Sequence, residues 1–493
     1  MDFVPLRYYM RHPLGPLDPL QADRADVMPV AKNIYAPLVS IAMGNNPQGM
    51  IAEKWSVDST GKIWRFTIKK NLFFDDGTPI TSTIVWENFR RIFWKTKNDN
   101  LSLNALLPEL SGWENRNVPL KNMVVEKDDI VFKFSKRPTN LFEEISMPIY
   151  GIANPKCFDS FSSQKNTSCP SGSGQYKIAL REKNKILLQS RHVFQENKAA
   201  PEFVEILTPS ESEKDVAHYI LNNIADLTSQ SSFDLSPDEK SKIENGGFNI
   251  IYEPAFRMHF IQLNDKKTPF SDKKLRQEIR DSFLWKLFSS NISNQIEIDP
   301  SFIPKGGVGY LKFDIKEPSK MEKTDKKIKL LLLPTTENKL NIKDKKRGFV
   351  EKILISALGE LGFKLDIVRL NGGELIEKRK KGDFDVLLLS SGVSIYDPYN
   401  ALRMMFMSKI GAEIPDPSKK IPELIIEAEN ADVPIKRKKL AEKINETIYD
   451  EAAVITYAHS GYVYIHSKNV GLSELNLFSD PIEFRCVSWD QKK

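Results

Sequence analysis

The sequence has few residues of the kinds that hold metals or form cross-links. Among 493 residues there are three cysteines and six histidines. No Cys-x-x-Cys pair and no Cys/His cluster at metal-ligand spacing occurs, so the sequence predicts neither a metal centre nor a cofactor. Cys157 and Cys169 flank a Ser/Asn-rich stretch, where they either close a disulfide or stay two free thiols. Cys486 is then left over as a small buried hydrophobic residue.

Long apolar runs are also missing. A membrane-spanning helix needs about 18–20 apolar residues, and the strongest run here, Leu330 to Leu333, has only the length of a strand. The first residues, Met1 to Val4, show neither the basic start nor the apolar core of a signal peptide. Taken alone, this start indicates a cytosolic protein.

The chain has only a small excess of charge of one sign. The chain has 71 Lys and Arg residues against 65 Asp and Glu, a net charge of +6 that is spread along its length. Nucleic-acid-binding proteins normally concentrate basic residues in one stripe. The basic runs 378–381 and 436–439 fall on amphipathic helices and are interpreted as solvated faces. The composition therefore predicts no nucleic-acid partner.

Local motifs of catalysis are absent as well. Neither Gly-x-Ser-x-Gly, nor His-Glu-x-x-His, nor a phosphate-binding Gly-x-x-x-x-Gly-Lys-[Ser/Thr] occurs in the chain. A hydrolytic enzyme, with a site assembled from distant residues, is kept only as a rival class. The sequence favours a binding protein.

What is present is a chain long enough for two to four domains. Around residues 51–95, Trp64, Phe66 and Ile68 alternate with polar residues, which predicts a half-buried strand in a hairpin. Thr81 is a predicted helix cap, followed by apolar residues at helical spacing. Two helices and two further strands are predicted within 421–466.

The stretch 326–390 has the pattern of a parallel sheet. Strands at 328–333, 365–370 and 384–389 alternate with helices at 349–361 and 374–381, and Gly362 ends the first helix. This β-α-β-α-β order is typical of parallel strands with crossover helices. Ligands of such sheets bind beyond the carboxyl ends of the strands. The loop that follows the third strand, Ser390 to Pro398, is therefore a predicted site.

An ordered set of short motifs spans almost the whole chain, at 17–19, 33–39, 51–57, 64–68, 74–81, 172–177, 260–264, 269–272 and 275–277. Each motif is weak alone. Taken together, they resemble the family 5 extracellular solute-binding proteins, the peptide receptors of ABC importers.

The resemblance implies an α/β fold with two lobes of the periplasmic-binding-protein type (type II, cluster C) and an inserted third subdomain. Lobe I is expected at 1–40, 172–256 and 458–493, the inserted subdomain Ib at 41–171, and lobe II at 257–457. It also implies an exported, extracytoplasmic protein whose leader was removed, with or without a lipid anchor. The expected partners of this monomeric receptor are a peptide-like solute, held between the lobes, and an ABC permease.

The resemblance further implies two walls for the solute. The near wall is the segment Asp23 to Met28, and the far wall is Ser390 to Ser394. The residues predicted to contact the solute are Asp23, Ala25, Asp26, Val27, Arg257, Ser390, Ser391, Gly392, Val393, Ser394, Tyr396 and Arg403. For each wall the alternative is an ordinary polar loop. For Arg257 and Arg403 the alternative is a structural or solvated arginine.

The chain departs from the family pattern at the far wall. Peptide receptors commonly have Trp-x-x-Asp there, and the Asp pairs with the ammonium of the peptide. Those positions fall on Ser391 and Ser394 here. A buried ammonium without an anion costs several kcal/mol, which a serine hydroxyl does not compensate. Either Asp23 or Asp26 supplies the carboxylate, or the solute has no free amine at this point.

The other residues near the far wall have simpler interpretations. Asp397 is predicted to cap the helix 399–407 with Pro398 at its first position. His259 and His459, both near expected hinge strands, are the residues to consider if the solute is a metal chelate. A sugar, or a recruited role as a sensor that holds a protein partner, is a further alternative to a peptide solute.

Overall fold

The computed structural model describes most of the chain, and the two compact units that the chain forms are treated separately. The described residues are 4–10, 13–15, 17–21, 27–41, 46–95, 120–138, 141–157, 171–194, 197–209, 216–231, 235, 237–252, 257–290, 296–318, 323–333, 342–370, 372–392, 398–407, 414, 416–431, 433–472 and 482–490. The first unit comprises Met1–Gln230, Glu239–Glu253 and Val463–Lys493, and the second comprises Ser231–Asp238 and Pro254–Tyr462.

The described strands and helices are numbered here in chain order. The strands are β1 (Leu6–Tyr9), β2 (Val39–Ser40), β3 (Gln48–Gly49), β4 (Ala52–Val57), β5 (Ile63–Ile68), β6 (Met123–Glu126), β7 (Asp129–Lys133), β8 (Tyr176–Arg181), β9 (Lys185–Ser190), β10 (Phe203–Leu207), β11 (Leu227–Ser231), β12 (Asn249–Tyr252), β13 (Arg257–Leu263), β14 (Lys327–Leu332), β15 (Lys364–Arg369), β16 (Val386–Gly392), β17 (Val454–Ser460), β18 (Tyr462–His466), β19 (Val470–Gly471) and β20 (Ser488–Trp489). The helices are α1 (Met28–Ile34), α2 (Ser82–Lys95), α3 (Leu141–Ile145), α4 (Val216–Leu221), α5 (Pro237–Asn245), α6 (Lys273–Phe288), α7 (Ile342–Glu360), α8 (Gly372–Lys380), α9 (Tyr399–Phe406), α10 (Ile421–Glu429) and α11 (Pro434–Glu451).

A seven-stranded sheet, in the order β12-β18-β11-β1-β10-β9-β8, forms the centre of the first unit. Strand β1 is parallel to both of its neighbours, β10 and β11, while β9 is antiparallel to β10 and to β8. In β9, Ile186, Leu188 and Ser190 are buried and alternate with half-buried residues. Because successive side chains of a strand point to opposite faces, this alternation indicates that one face of the sheet packs on a core.

A four-stranded antiparallel sheet, β4-β5-β7-β6, has a separate core in the first unit. The predicted hairpin is confirmed: the Asp58 carboxylate accepts hydrogen bonds from the amides of Lys62 and Ile63, and Gly61 takes the positive φ of +71° that the turn requires. The predicted cap of α2 is also confirmed, since Thr81 Oγ1 accepts a hydrogen bond from the Ile84 amide. Helix α2 then buries the apolar stripe against this sheet.

The second unit contains a five-stranded sheet in the order β15-β14-β16-β13-β17. The predicted β-α-β-α-β segment is confirmed as β14, α7, β15, α8 and β16, with β14 parallel to both β15 and β16. Gly362 ends α7 with a φ of +89°. Strands β13 and β17 add antiparallel to β16 and β13, so the sheet is mixed.

Two cores cover the two faces of this sheet. On one face, apolar residues of α6 and α7, including Phe283 and Leu354, pack on Ile261 and Leu388. On the other face, α9, α10 and α11 pack on Met258 and Phe260. The apolar stripe of α11, formed by Leu440, Ile444 and Ile448, belongs to this second core.

The start of α9 differs from the prediction. The helix spans Tyr399–Phe406, and Pro398 occupies the N-cap position with no side-chain hydrogen bond to the helix. Pro398 is therefore one residue further out than predicted, and Asp397 lies outside the described residues. The ring fixes the φ of Pro398 at −74°, which leads the chain into the first turn without a capping side chain.

The cysteines are of two kinds. Cys157 is disulfide-bonded, whereas Cys486 forms no disulfide and has 1% of its surface exposed. Cys169 lies outside the described residues. The prediction that Cys486 is a small buried residue left out of the disulfide is confirmed.

Candidate functional site

The near wall falls largely outside the part of the chain that the structure describes. Asp23, Ala25 and Asp26 are not among the described residues. Val27 is fully buried, and its carbonyl accepts hydrogen bonds from the amides of Val30 and Ala31 at the start of α1. Its side chain thus packs into the interior of the first unit.

The described part of the far wall is the end of strand β16. Ser390, Ser391 and Gly392 are its last three residues, and Val393, Ser394 and Tyr396 lie outside the described residues. Because β14, β15 and β16 are parallel, their carboxyl ends meet at one edge of the sheet. Ser390 and Gly392 are exposed there.

Two antiparallel strands bring further polar residues to the same edge. Arg257, the first residue of β13, pairs with Gly392 on one side and with Ser460, the last residue of β17, on the other. His259 pairs with Ser390. We call this group the edge cluster; it consists of Arg257, His259, Ser390, Gly392 and Ser460.

The edge cluster continues the rows of side chains that form the core under α6 and α7. Along β13, Leu263 and Ile261 belong to that core, and the same row continues with His259 and Arg257. Along β16, Val386 and Leu388 are followed by Ser390 and Gly392 in the same way. The apolar rows therefore become polar where the strands reach the edge.

A hydrogen bond links two members of the edge cluster. His259 Nε2 lies 2.8 Å from Ser460 Oγ, and the imidazole lies 6.0 Å from the Tyr457 ring, centroid to centroid. Burial raises the pKa of Tyr457, on which the charges of Arg347 and Glu351 also act. A serine–histidine contact is the start of a nucleophilic site, but a hydrolase also needs a group that orients the histidine. None of the three strands β13, β16 and β17 contains a carboxylate.

The two predicted arginines differ in their surroundings. Arg257 is half-buried, and its guanidinium makes no hydrogen bond or ion pair with any described residue. Arg403 is bound by both carboxylate oxygens of Glu429, with 2.8 Å between Arg403 Nε and Glu429 Oε1. The bidentate pair between α9 and α10 occupies the fork that Arg403 would offer to a solute.

The two histidines near the hinge strands do not share a site. The strand register places His459 opposite Met258, on the face away from His259. The His459 side chain is 5% exposed, and its Nδ1 lies 3.6 Å from Asp299 Oδ2; neither ring nitrogen has a hydrogen bond to a described residue. Among the described residues, no group of three His, Cys, Asp or Glu side chains is placed to hold a metal ion.

One member of the edge cluster was missed at the level of sequence. Ser460 was not singled out, because its place beside Arg257 depends on the pairing of β13 with β17, whose residues lie about two hundred positions apart. The one local signal was the end of an apolar strand at a small polar residue. That pattern is common in any sheet.

A sequence model described as "Bacterial extracellular solute-binding proteins, family 5 Middle" matches residues 46–280. That segment, a little less than half of the chain, is similar to the family 5 extracellular solute-binding proteins. A "Probable di/tripeptide-binding protein 5" of Pseudomonas aeruginosa is 24% identical to it over 391 residues, which cover 72% of this chain and 70% of that protein.

Solved structures of solute-binding proteins show the same fold as this chain. The dipeptide-binding protein of Pseudoalteromonas in complex with Met-Leu superposes with a TM-score of 0.77, at 15% identity, and the match covers 99% of this chain and 100% of that one. NikA of Brucella suis in complex with Fe(III)-EDTA gives 0.73 at 15% identity, with 99% and 100% covered. The predicted α/β solute-binding fold is thereby confirmed. No helix among the described residues is long and apolar enough to cross a membrane.

Proposed function

We propose that this protein is the extracytoplasmic receptor of an ABC importer, which captures a peptide-like solute and delivers it to a membrane permease. The observation that carries the proposal is the edge cluster: in a chain similar to family 5 proteins, one edge of the mixed sheet ends in small polar side chains and in one guanidinium that has no partner among the described residues. The names of the relatives, among them a di/tripeptide-binding protein, support a peptide as the solute.

The proposed solute contacts are drawn from both walls. In the second unit they are Arg257 on β13 and Ser390, Ser391 and Gly392 at the end of β16. Ser390 and Gly392 are exposed, and a strand end of this kind can pair with an extended peptide. The remaining proposed solute contacts come from the near wall and from residues 393–396. Arg403 and Val27 are left out of the proposal, because Glu429 already binds the arginine and the valine is buried.

The test is a thermal-shift series with pools of dipeptides, tripeptides and longer peptides. A ligand at about 100 times its dissociation constant stabilises the folded state by about 2.7 kcal/mol. We expect at least one pool to raise the unfolding temperature in a saturable way. Native mass spectrometry of freshly purified protein identifies any solute that was carried along. Absence of both a shift and a bound solute would contradict the proposal.

A non-peptide solute, such as a metal chelate or a sugar, is the second candidate. The observation that favours it is the lack of any carboxylate on β13, β16 and β17, where the ammonium of a peptide would need one. The same thermal-shift series, extended to Fe(III)-EDTA, Ni(II) chelates and oligosaccharides, separates the two. A shift with one of these and none with peptides selects the second candidate.

We further propose that the protein catalyses no reaction and acts as a monomer outside the cytoplasm. The Ser460–His259 contact gives a concrete test of the first point. Wild-type protein and the variant Ser460→Ala should be equally inactive on ester and peptide panels, and turnover that is lost in the variant would contradict the proposal. Cell fractionation tests the location, and the mass in solution tests the oligomeric state.

The division of the chain into lobe I (1–40, 172–256, 458–493), subdomain Ib (41–171) and lobe II (257–457) is kept as part of the proposal. The separate core of the four-stranded sheet supports an individual subdomain Ib. Limited proteolysis tests it, since the first cuts are expected near residues 41 and 171. Early cuts within the four-stranded sheet would contradict the division.

A further inference from the structure

The edge cluster carries positive charge that no carboxylate of its own strands balances. The guanidinium of Arg257 is half-buried and has no partner among the residues that the structure describes, and β13, β16 and β17 contain neither Asp nor Glu. Two arginines of the same unit, Arg347 and Arg369, lie 3.3 Å and 3.1 Å from Glu351 and share this one buried carboxylate. The charges of Arg347 and Glu351 act on the pKa of Tyr457, whose ring lies beside His259.

The carboxylate of Asp299 lies close to β17, but on the face opposite to Arg257. Asp299 lies 3.6 Å from His459, which alternates to the opposite face of β17. Its oxygen Oδ1 already accepts a hydrogen bond from the Ser301 amide. Asp299 therefore does not neutralise Arg257. Arg257 is a half-buried cation with no counter-ion in the described part of the chain; it has lost hydration without a compensating pair there, so its environment favours an anion.

The shape of the edge cluster suits a planar anion. A guanidinium presents two parallel N–H donors that match the two oxygens of a carboxylate. Gly392, directly opposite Arg257, has no side chain to obstruct the approach. Ser390, two residues earlier on the same face, has an exposed hydroxyl that makes no hydrogen bond with the described residues and can donate to the same anion.

We propose that the edge cluster is an anion subsite that binds a carboxylate of the solute, with Arg257 as the bidentate donor and Ser390 as a second donor. This inference rests on the proposed receptor function and adds the class of solute to it. The receptor then selects its solute by a negative end and not by an ammonium. The carboxylate belongs either to the C-terminus of a peptide or to a polycarboxylate metal chelate.

The experiment uses the full chain and a pool of dialanine, trialanine and tetraalanine in three forms: free, amidated at the C-terminus, and acetylated at the N-terminus. Fe(III)-EDTA is the chelate arm. Dissociation constants are measured by calorimetry for the wild type, for Arg257→Gln and Arg257→Lys, and for the control Arg181→Gln. Arg181 is exposed at the end of β8 in the other unit, so its replacement changes the net charge equally at a distance.

We expect the free and acetylated peptides to bind within about threefold of each other, and the amidated peptides to bind about tenfold more weakly or worse, the ratio typical of one hydrogen-bonded ion pair. Arg257→Gln should remove this difference, Arg257→Lys should retain part of it, and Arg181→Gln should leave it unchanged. Should Arg257→Gln prove unfolded by circular dichroism, the lysine variant, which keeps the charge, decides the question.

The outcomes separate the subsite from the receptor. If Fe(III)-EDTA is the only probe that binds, and Arg257→Gln weakens its binding about tenfold, the result supports the anion subsite with a chelate as the source of the carboxylate. Equal affinity for free and amidated peptides overturns the subsite and leaves the receptor function in place. Failure of every probe to bind overturns both.

Discussion

Lys32 and Glu483 form an ion pair in the interior of the first unit, with 3.1 Å between Nζ and Oε1, and both side chains are about 4% exposed. The carboxylate also accepts hydrogen bonds from Ser40 Oγ at 2.8 Å and from Arg485 Nε at 2.8 Å. Lys32 donates in addition to the Ser146 carbonyl. This network joins α1 to the last described segment of the chain, so we expect its loss to lower the free energy of unfolding.

The variant Glu483→Gln leaves two buried cations without their anion. Removing one partner of a buried pair typically costs about 3–5 kcal/mol, and we expect a loss of that order in the free energy of unfolding, measured by urea titration. Glu126→Gln is the matched control: its pair with Arg65 has 2.7 Å between the charged atoms but is 38% and 48% exposed. The control should change stability by less than about 1 kcal/mol. Equal effects of the two variants would contradict this role of Glu483.

The same carboxylate should make stability depend on pH. Burial alone would raise the pKa of Glu483, but the charges of Arg485 and Lys32 outweigh it and hold the pKa at about 2. In the unfolded chain the pKa of a Glu side chain is about 4.3. Because the folded pKa is the lower one, the stabilisation is complete above the unfolded value and is lost as the pH falls from about 4.3 toward 2.

This dependence is measured by urea unfolding at pH 6, 4 and 3. The difference in unfolding free energy between the wild type and Glu483→Gln should be largest at pH 6 and should shrink at each lower pH. A difference that stays constant down to pH 3 would show that Glu483 is not ionised in the folded protein.

Gly362 is predicted to be irreplaceable at the end of α7. Its φ is +89°, and a Cβ built on it would lie 2.0 Å from the Thr324 carbonyl oxygen. Gly362→Ala should lower the free energy of unfolding by about 2 kcal/mol or more, because left-handed backbone and a steric clash act together. Gly348→Ala, in the same helix with nothing within 4 Å of the added methyl, should instead raise it by about 0.5–1 kcal/mol. Thermal unfolding of both variants checks the contrast, which fails if both shift in the same direction.

The far wall offers a test at position 394. The resemblance to family 5 peptide receptors predicts that Ser394 stands where those receptors commonly have the Asp that pairs with the ammonium of the peptide. We expect Ser394→Asp to increase the affinity for peptides with a free amine by about tenfold, since a charged hydrogen bond is added. Acetylated peptides should gain nothing from the change. Calorimetry that shows no gain for either kind of peptide would count against this position in the far wall.

The sequence predicted those parts of the fold that local patterns determine. The β-α-β-α-β segment follows from apolar periodicity and from Gly362, and the β4–β5 hairpin follows from alternation and the turn at Asp58. The cap at Thr81 is also a local signal. In each case the interactions that decide the structure lie within a few residues of each other, which is why they can be recognised in the sequence.

The site was less predictable, because its members meet through long-range strand pairing. Ser390 and Gly392 could be proposed from the end of a predicted strand, but the neighbours Arg257 and Ser460 are fixed only by the order β16-β13-β17. Arg403 illustrates the converse. Its partner Glu429 lies on another helix, so nothing local distinguished a paired arginine from one that faces a solute.

Reversible binding of a small solute is the property from which the other proposals follow. It is measured by calorimetric titration of protein freed of any co-purified solute by unfolding and refolding. We expect saturable binding of one solute per chain, with a peptide or an anionic chelate as the titrant, and a dissociation constant that rises about tenfold in Arg257→Gln. No measurable binding of any peptide, chelate or sugar by correctly refolded protein would contradict it.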